Sequence, residues 1–182
     1  LDLFVGNHPA PAKGVHSILL MKEPVFLVIS DSMLKKHFPE RYPQCRDDFR
    51  NGVDIVDFKG VPFVMNLGSS NMRLFVDTYF ERKGIHPYAA LLTNINEMHY
   101  QFSAMDYGAS FCPGMMLSLL ESGVQEKNLN VFPLRDCSQE NRIVLAHLEN
   151  AYIPQYMQDF IDIVVDFFRD LDPKSVIKNG NG

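Results

Sequence analysis

The run from Val61 to Arg73 reads Val-Pro-Phe-Val-Met-Asn-Leu-Gly-Ser-Ser-Asn-Met-Arg and constrains the fold more than any other part of the chain. A short apolar stretch ends on Gly68-Ser69-Ser70, and Met72, Phe75, Val76, Tyr79 and Phe80 then recur at helical spacing. Ser70 is a good N-cap, because its hydroxyl can accept from a first-turn N–H that has no partner inside the helix. The pattern predicts a strand that feeds straight into a helix. Backbone N–H groups and small hydroxyls then sit beyond a strand's carboxyl end, where open α/β sheets hold small and often anionic ligands. The turn suits binding a metabolite and offers nothing for chemistry on it.

The rest of the chain narrows the class. With 182 residues, 46% of them hydrophobic, it can bury a core as one domain or two small lobes. A formal net charge of −5 and the lack of a long basic run argue against nucleic-acid binding by this segment itself. No stretch approaches the roughly 20 apolar residues of a membrane span. The start, Leu1-Asp2-Leu3-Phe4-Val5-Gly6, has no charged leader or small-residue cleavage site and reads as a strand entered abruptly, which predicts a fragment of something longer. Cys45, Cys112 and Cys137 show no Cys-x-x-Cys spacing and read as reduced thiols of a cytoplasmic protein. Cys112 lies in an apolar run and packs as a small hydrophobe, with a redox pair to Cys137 as the lesser alternative.

Strand patterns cover Leu1 to Gly6, Val15 to Lys22, Pro24 to Ile29, Val61 to Leu67, Ala89 to Thr93, Tyr107 to Cys112, Asn130 to Leu134 and Arg142 to Leu148. Helices are expected behind Ser70 and from Asn94–Asn96 to Met105, and a short helix or turn from Pro113 to Leu120, closed by Gly123. A short helix is expected around Gln44 to Arg50, in a segment from Ser30 to Gly52 that is otherwise polar and broken by Pro39 and Pro43. The last element is the clearest: Pro154 opens it, and Ile153, Tyr156, Met157, Phe160, Ile161, Val164, Phe167 and Phe168 form one apolar stripe. Asp136 to Glu140 is a polar loop, and Lys174 to Gly182 should fray. Alternation of strands and helices predicts an α/β fold with largely parallel strands. Two crossings divide it into lobe I, residues 1–27 and 135–171, and lobe II, residues 28–134, with a flexible tail at 172–182 and a ligand cleft between the lobes.

The order of these elements resembles the effector-binding domain of LysR-type transcriptional regulators. Leu-Asp-Leu-Phe-Val-Gly followed by Ile-Leu-Leu-Met-Lys-Glu-Pro-Val-Phe-Leu-Val-Ile carries the likeness. So do the Val61 to Arg73 run with its helix and Gly-Ile-His-Pro, Met-Asp-Tyr-Gly-Ala-Ser-Phe-Cys-Pro, and the strand and helix from Arg142 to Arg169. The resemblance implies a two-lobed, periplasmic-binding-protein-like (type 2) fold. It implies a small, anionic effector, a homodimer or homotetramer, and no cofactor. It also implies DNA contact only through an N-terminal winged helix-turn-helix that is absent here, together with the first strand–helix–strand–helix of the effector domain. Ser110 stands where the family usually has glycine. Self-association through the exposed side of the Met72–Phe80 helix and the strand edges near Val15 to Met21 is likewise implied by analogy. A transporter's solute-binding protein of the same two-lobed plan is the rival reading, and the missing signal segment and unpaired cysteines count against it.

Ser69, Ser70 and Asn71 are the leading effector contacts, by the physics of the helix N-terminus and by family position, with simple capping as the competing role. Thr93, Asn94 and Asn96 form the second set, again against a capping role. Ser110 and Phe111 lie on the strand that would line the cleft, although a core role is favoured for Phe111. Asn7 and His8 would face the cleft from the other lobe, against a plain turn. Arg73 could reach a carboxylate or form a salt bridge. The six histidines show no metal-ligand spacing. Lys35, Lys36, Arg41, Arg46 and Arg50 make a mildly basic patch, read as solvated surface before phosphate site. Asp47, Asp48, Asp54 and Asp57 read as surface charge. There is no Gly-x-Ser-x-Gly, phosphate loop or dinucleotide fingerprint, so an enzyme is not expected.

Overall fold

The computed structural model describes residues 3–7, 13–68, 70–121, 128–137 and 141–171. Its strands are β1 (Phe4–Asn7), β2 (Val15–Glu23), β3 (Val25–Ser30), β4 (Pro62–Met65), β5 (Tyr88–Leu92), β6 (Ser110–Pro113), β7 (Leu129–Pro133) and β8 (Asn141–Leu148). Its helices are α1 (Asp31–His37), α2 (Cys45–Arg50), α3 (Asn71–Arg82), α4 (Asn96–Ala104), α5 (Gly114–Glu121) and α6 (Gln155–Asp170), with a 3-10 turn at Ile55–Phe58. The chain divides into two compact units, Leu1–Pro24 with Glu140–Gly182, and Val25–Gln139. Of the segments read from sequence, Gly123, residues 138–140 of the polar loop and the tail lie outside the described residues, as do Ser69 and His8.

The first unit is a three-stranded antiparallel sheet with β8 between β1 and β2. Alternation puts Ile18 and Leu20 of β2 on the face that carries Leu145, and Met157 and Ile161 of α6 pack on that face. The apolar stripe of α6 is covered only on one side. Tyr156, Phe160 and Phe167 stay 74%, 48% and 59% exposed. At 100° per residue these residues stand roughly 110° around the helix from the buried row, so the apolar arc is wider than the face the sheet covers. Across one end of that sheet runs a largely buried polar string: Asn7 donates to Asn141 Oδ1 at 2.6 Å, and Asn141 donates to Glu23 at 2.8 Å.

In the second unit β3 lies between β6 and β7, antiparallel to both, and every residue of β3 is buried. That buried strand is what the apolar run Val25 to Ile29 predicts for an element covered on both faces. β4 and β5 pair in parallel across the α3 crossover, and a parallel bridge from Phe63 to Ala109 ties β4 to the start of β6. The expected largely parallel sheet is therefore corrected. Strands joined through helices run together, as a crossover requires, whereas β3 runs against its neighbours. Phe63, Phe80 and Phe111 form one aromatic cluster, with ring centroids 5.2–5.8 Å apart. Phe38, Phe49, Phe58 and Phe132 form another.

One further reading is revised. The segment read as irregular opens with α1, capped by Ser30, whose hydroxyl accepts from Met33 N. Asp31 in its first turn and Lys35 and Lys36 in its last complement the helix dipole. The basic patch is largely neutralised, since Arg41 pairs with Asp48 and Asp57, Arg46 with Asp31 and Arg50 with Asp47. No disulfide joins the cysteines, and Cys112 is buried among Phe26, Val28 and Leu117.

Candidate functional site

The parallel pair β4–β5 brings two strand-to-helix turns side by side. β4 leads through Asn66, Leu67 and Gly68 to the N-terminus of α3, and β5 leads through Thr93, Asn94 and Ile95 to that of α4. The turns are stitched together. Thr93 N donates to Met65 O at 3.0 Å, and Leu67 N donates to Asn94 Oδ1 at 3.1 Å. Ser70 caps α3 by accepting from Arg73 N at 3.0 Å. Thr93 Oγ1 accepts from Ile95 N at 3.2 Å and braces the second turn, whereas the residue at the α4 N-cap is Ile95, with no side-chain capping bond. The expected cap from Asn94–Asn96 is thus replaced: Asn94 serves the neighbouring turn, and Asn96 is the first residue of α4.

Two helix dipoles with their positive ends at one sheet edge favour an anion there. Arg73 stands beside these turns already neutralised by a carboxylate. Its Nε donates to both Asp77 oxygens at 2.7 and 2.8 Å, and Nη1 donates to Asn66 O at 3.0 Å. The i,i+4 pair pins the guanidinium over the end of β4. Behind it a recess of about 10 Å³ is lined by Val64, Met65, Asn66, Val76, His99 and Phe111, roughly room for one water. His99 is 4% exposed, and Nε2 lies 3.1 Å from Thr93 O. A carbonyl only accepts, so Nε2 carries the proton. Burial pushes the imidazole pKa down, and the bond to Thr93 offsets part of that, so the ring is neutral at pH 7.

Of the expected contacts, the fold gathers Ser70, Asn71, Thr93, Asn94 and Asn96 at one sheet edge. Ser110 is 0% exposed, and its hydroxyl is bonded to that of Ser103 on α4 at 2.8 Å, so it holds α4 against β6. Phe111 is a core residue of the aromatic cluster that also walls the recess. Asn7 belongs to the other unit, in the buried string with Asn141. Asn66, Asp77 and His99 did not stand out as site residues in the sequence; Arg73 did, and it forms the salt bridge weighed for it. The i,i+4 spacing of Arg73 and Asp77 was the one legible sign; His99 reaches the recess only because α4 folds beside β4.

Strand-to-helix turns paired at the carboxyl end of a parallel strand pair, within an α/β unit entered and left by β3 and β7, mark a ligand-binding domain of the type 2 periplasmic-binding-protein-like class. The chain belongs to the LysR substrate binding domain family, whose model matches residues 1–169. It is similar in fold to the effector binding domain of QuiR in complex with shikimate, at 20% identity and a TM-score of 0.71, covering 92% of this chain and 72% of that one. The regulatory domain of CcmR from Synechocystis PCC6803, in complex with 2-PG, matches at 18% identity and a TM-score of 0.73, covering 93% and 74%. Full-length BenM matches at 18% identity and a TM-score of 0.69, and the chain spans 51% of its length. A comparison with curated proteins returns no match. The family is one of regulatory ligand-binding domains and not of enzymes, and no helix among the described residues is long and apolar enough to cross a membrane.

Proposed function

We propose that this effector-binding domain holds a small anionic metabolite at the paired N-termini of α3 and α4. Ser70, Asn71, Thr93 and Asn94 would contact it, with Ser69 and Asn96 alongside. The observation that carries the reading is the stitching of the two turns, which fixes two helix N-termini at one edge before any ligand arrives. The ligand favours the conformation it contacts best, and that population shift reaches DNA through a winged helix-turn-helix elsewhere in the full-length regulator. A homo-oligomer in the cytoplasm is the setting this implies. Similar solved domains are in complex with shikimate and with benzoate, both carboxylates by name, which supports an anionic class here. The rival transporter reading has no support from a match to a regulator family.

A thermal-shift panel of small carboxylates and phosphate esters, including shikimate and 2-PG, tests the proposal. A ligand near 100 times its dissociation constant should stabilise by about 2.7 kcal/mol. Ser70→Trp should abolish that shift while the same bulk at an exposed position of α3, Glu81→Trp, keeps it. A hit indifferent to Ser70→Trp would place the ligand elsewhere.

A further inference from the structure

The antiparallel ladder of β2 and β8 sets His16 directly opposite His147. Their rings lie 5.0 Å apart between centroids and are tilted by 40°. The pair is the next same-face position along from Ile18 and Leu145, with His16 exposed and His147 half-buried. Here two imidazoles stand free of the apolar core yet are held in register by the ladder.

We propose that His16 and His147 form a two-imidazole site for a divalent first-row transition ion. Imidazole nitrogens bind such ions at about 2.0–2.1 Å, so two rings sharing one ion at an angle of about 90–110° place their centroids about 4.5–5.2 Å apart. The observed 5.0 Å falls inside that window. The tautomer fits as well. His147 Nδ1 lies 2.9 Å from Leu148 O, and a carbonyl can only accept, so Nδ1 holds a proton and Nε2 is the nitrogen left to bind a metal. That backbone bond is the orienting contact a metal-binding histidine needs. Among the described residues no third His, Cys, Asp or Glu joins the pair, so water completes the coordination and the ion is exchangeable. With two neutral nitrogen ligands and open positions, affinity should follow the order for such donors, with Cu²⁺ tightest.

A simple ring contact also occurs at this separation, and titration separates the two cases. CuCl₂ and ZnCl₂ are titrated into the full chain by calorimetry, with electron paramagnetic resonance on the copper sample. The expected result is one Cu²⁺ per chain with coupling to two nitrogens, bound more tightly than Zn²⁺. His16→Ala and His147→Ala should each weaken binding by at least about tenfold, while exposed His86→Ala leaves it unchanged. His147→Gln, which can keep a polar contact to the strand end, serves if the alanine variant is unstable and should lose the ion equally. Binding unchanged in either single variant, a one-nitrogen copper signal, or loss on changing His86 would overturn the site.

Discussion

Gly108 is the position where a single methyl group should do most damage to the sheet edge that carries the candidate site. A Cβ added there would lie 2.9 Å from Pro62 O, from the Phe63 carbonyl carbon and from Val64 N, all backbone atoms of β4. Ordinary contacts between such atoms sit at about 3.5–4.0 Å, so one segment has to retreat by about 0.6–1 Å. The same segments are joined by Ala109 N to Pro62 O and Val64 N to Ala109 O, both 2.8 Å. That retreat takes both bonds to the edge of useful geometry, each worth about 1 kcal/mol net. Overpacking alone costs about 1–3 kcal/mol, and the stiffer unfolded chain returns about 0.4–1. Gly108→Ala should therefore lose about 2–4 kcal/mol in urea unfolding followed by far-ultraviolet circular dichroism. Gly68→Ala is the control, because nothing lies within 4 Å of its Cβ position and its backbone is not left-handed. It should stay within about 0.5 kcal/mol of the parent. Equal losses in the two variants, or none at Gly108, would refute the packing argument.

Two further outcomes follow from the same geometry. Ser70→Ala removes the acceptor for Arg73 N and should cost about 1 kcal/mol in the same assay, with Ser70→Asp recovering most of it. His99 gives a pH dependence. Its folded pKa is below the ordinary 6.5 chiefly through burial, so as pH falls through about 6.5 the unfolded chain takes up a proton before the folded one does. Stability should be flat above that value and fall below it. His99→Gln should flatten the acid limb without abolishing it, since burial and Lys36 lower His37 in the same direction. An acid limb unchanged by His99→Gln would contradict the assignment.

The strand and helix order was legible because each element carries a local signal. The β4 run, the Ser70 cap with its 3.6-residue apolar row, and the apolar run of β3 each follow from short-range chemistry. Strand direction was not legible, because alternation of elements says which strands share a crossover and nothing about how β3 meets β6 and β7. α1 was obscured by its polar residues, although Ser30, Asp31 and the Lys35–His37 end spell a capped helix. In the site, turn residues announced themselves, whereas Ser110 looked available and is sealed against Ser103. His99 and Asn66 gain their place only from tertiary packing, which no spacing along the chain encodes.

The most direct test of the central claim is a ¹H–¹⁵N correlation titration of the chain with whichever small acid gives the largest thermal shift. The account predicts saturable amide shifts concentrated at Leu67 to Arg73 and at Thr93 to Glu97, the two turns joined by Asn94 and Thr93. Shifts of comparable size spread elsewhere, with those two turns silent, would contradict it.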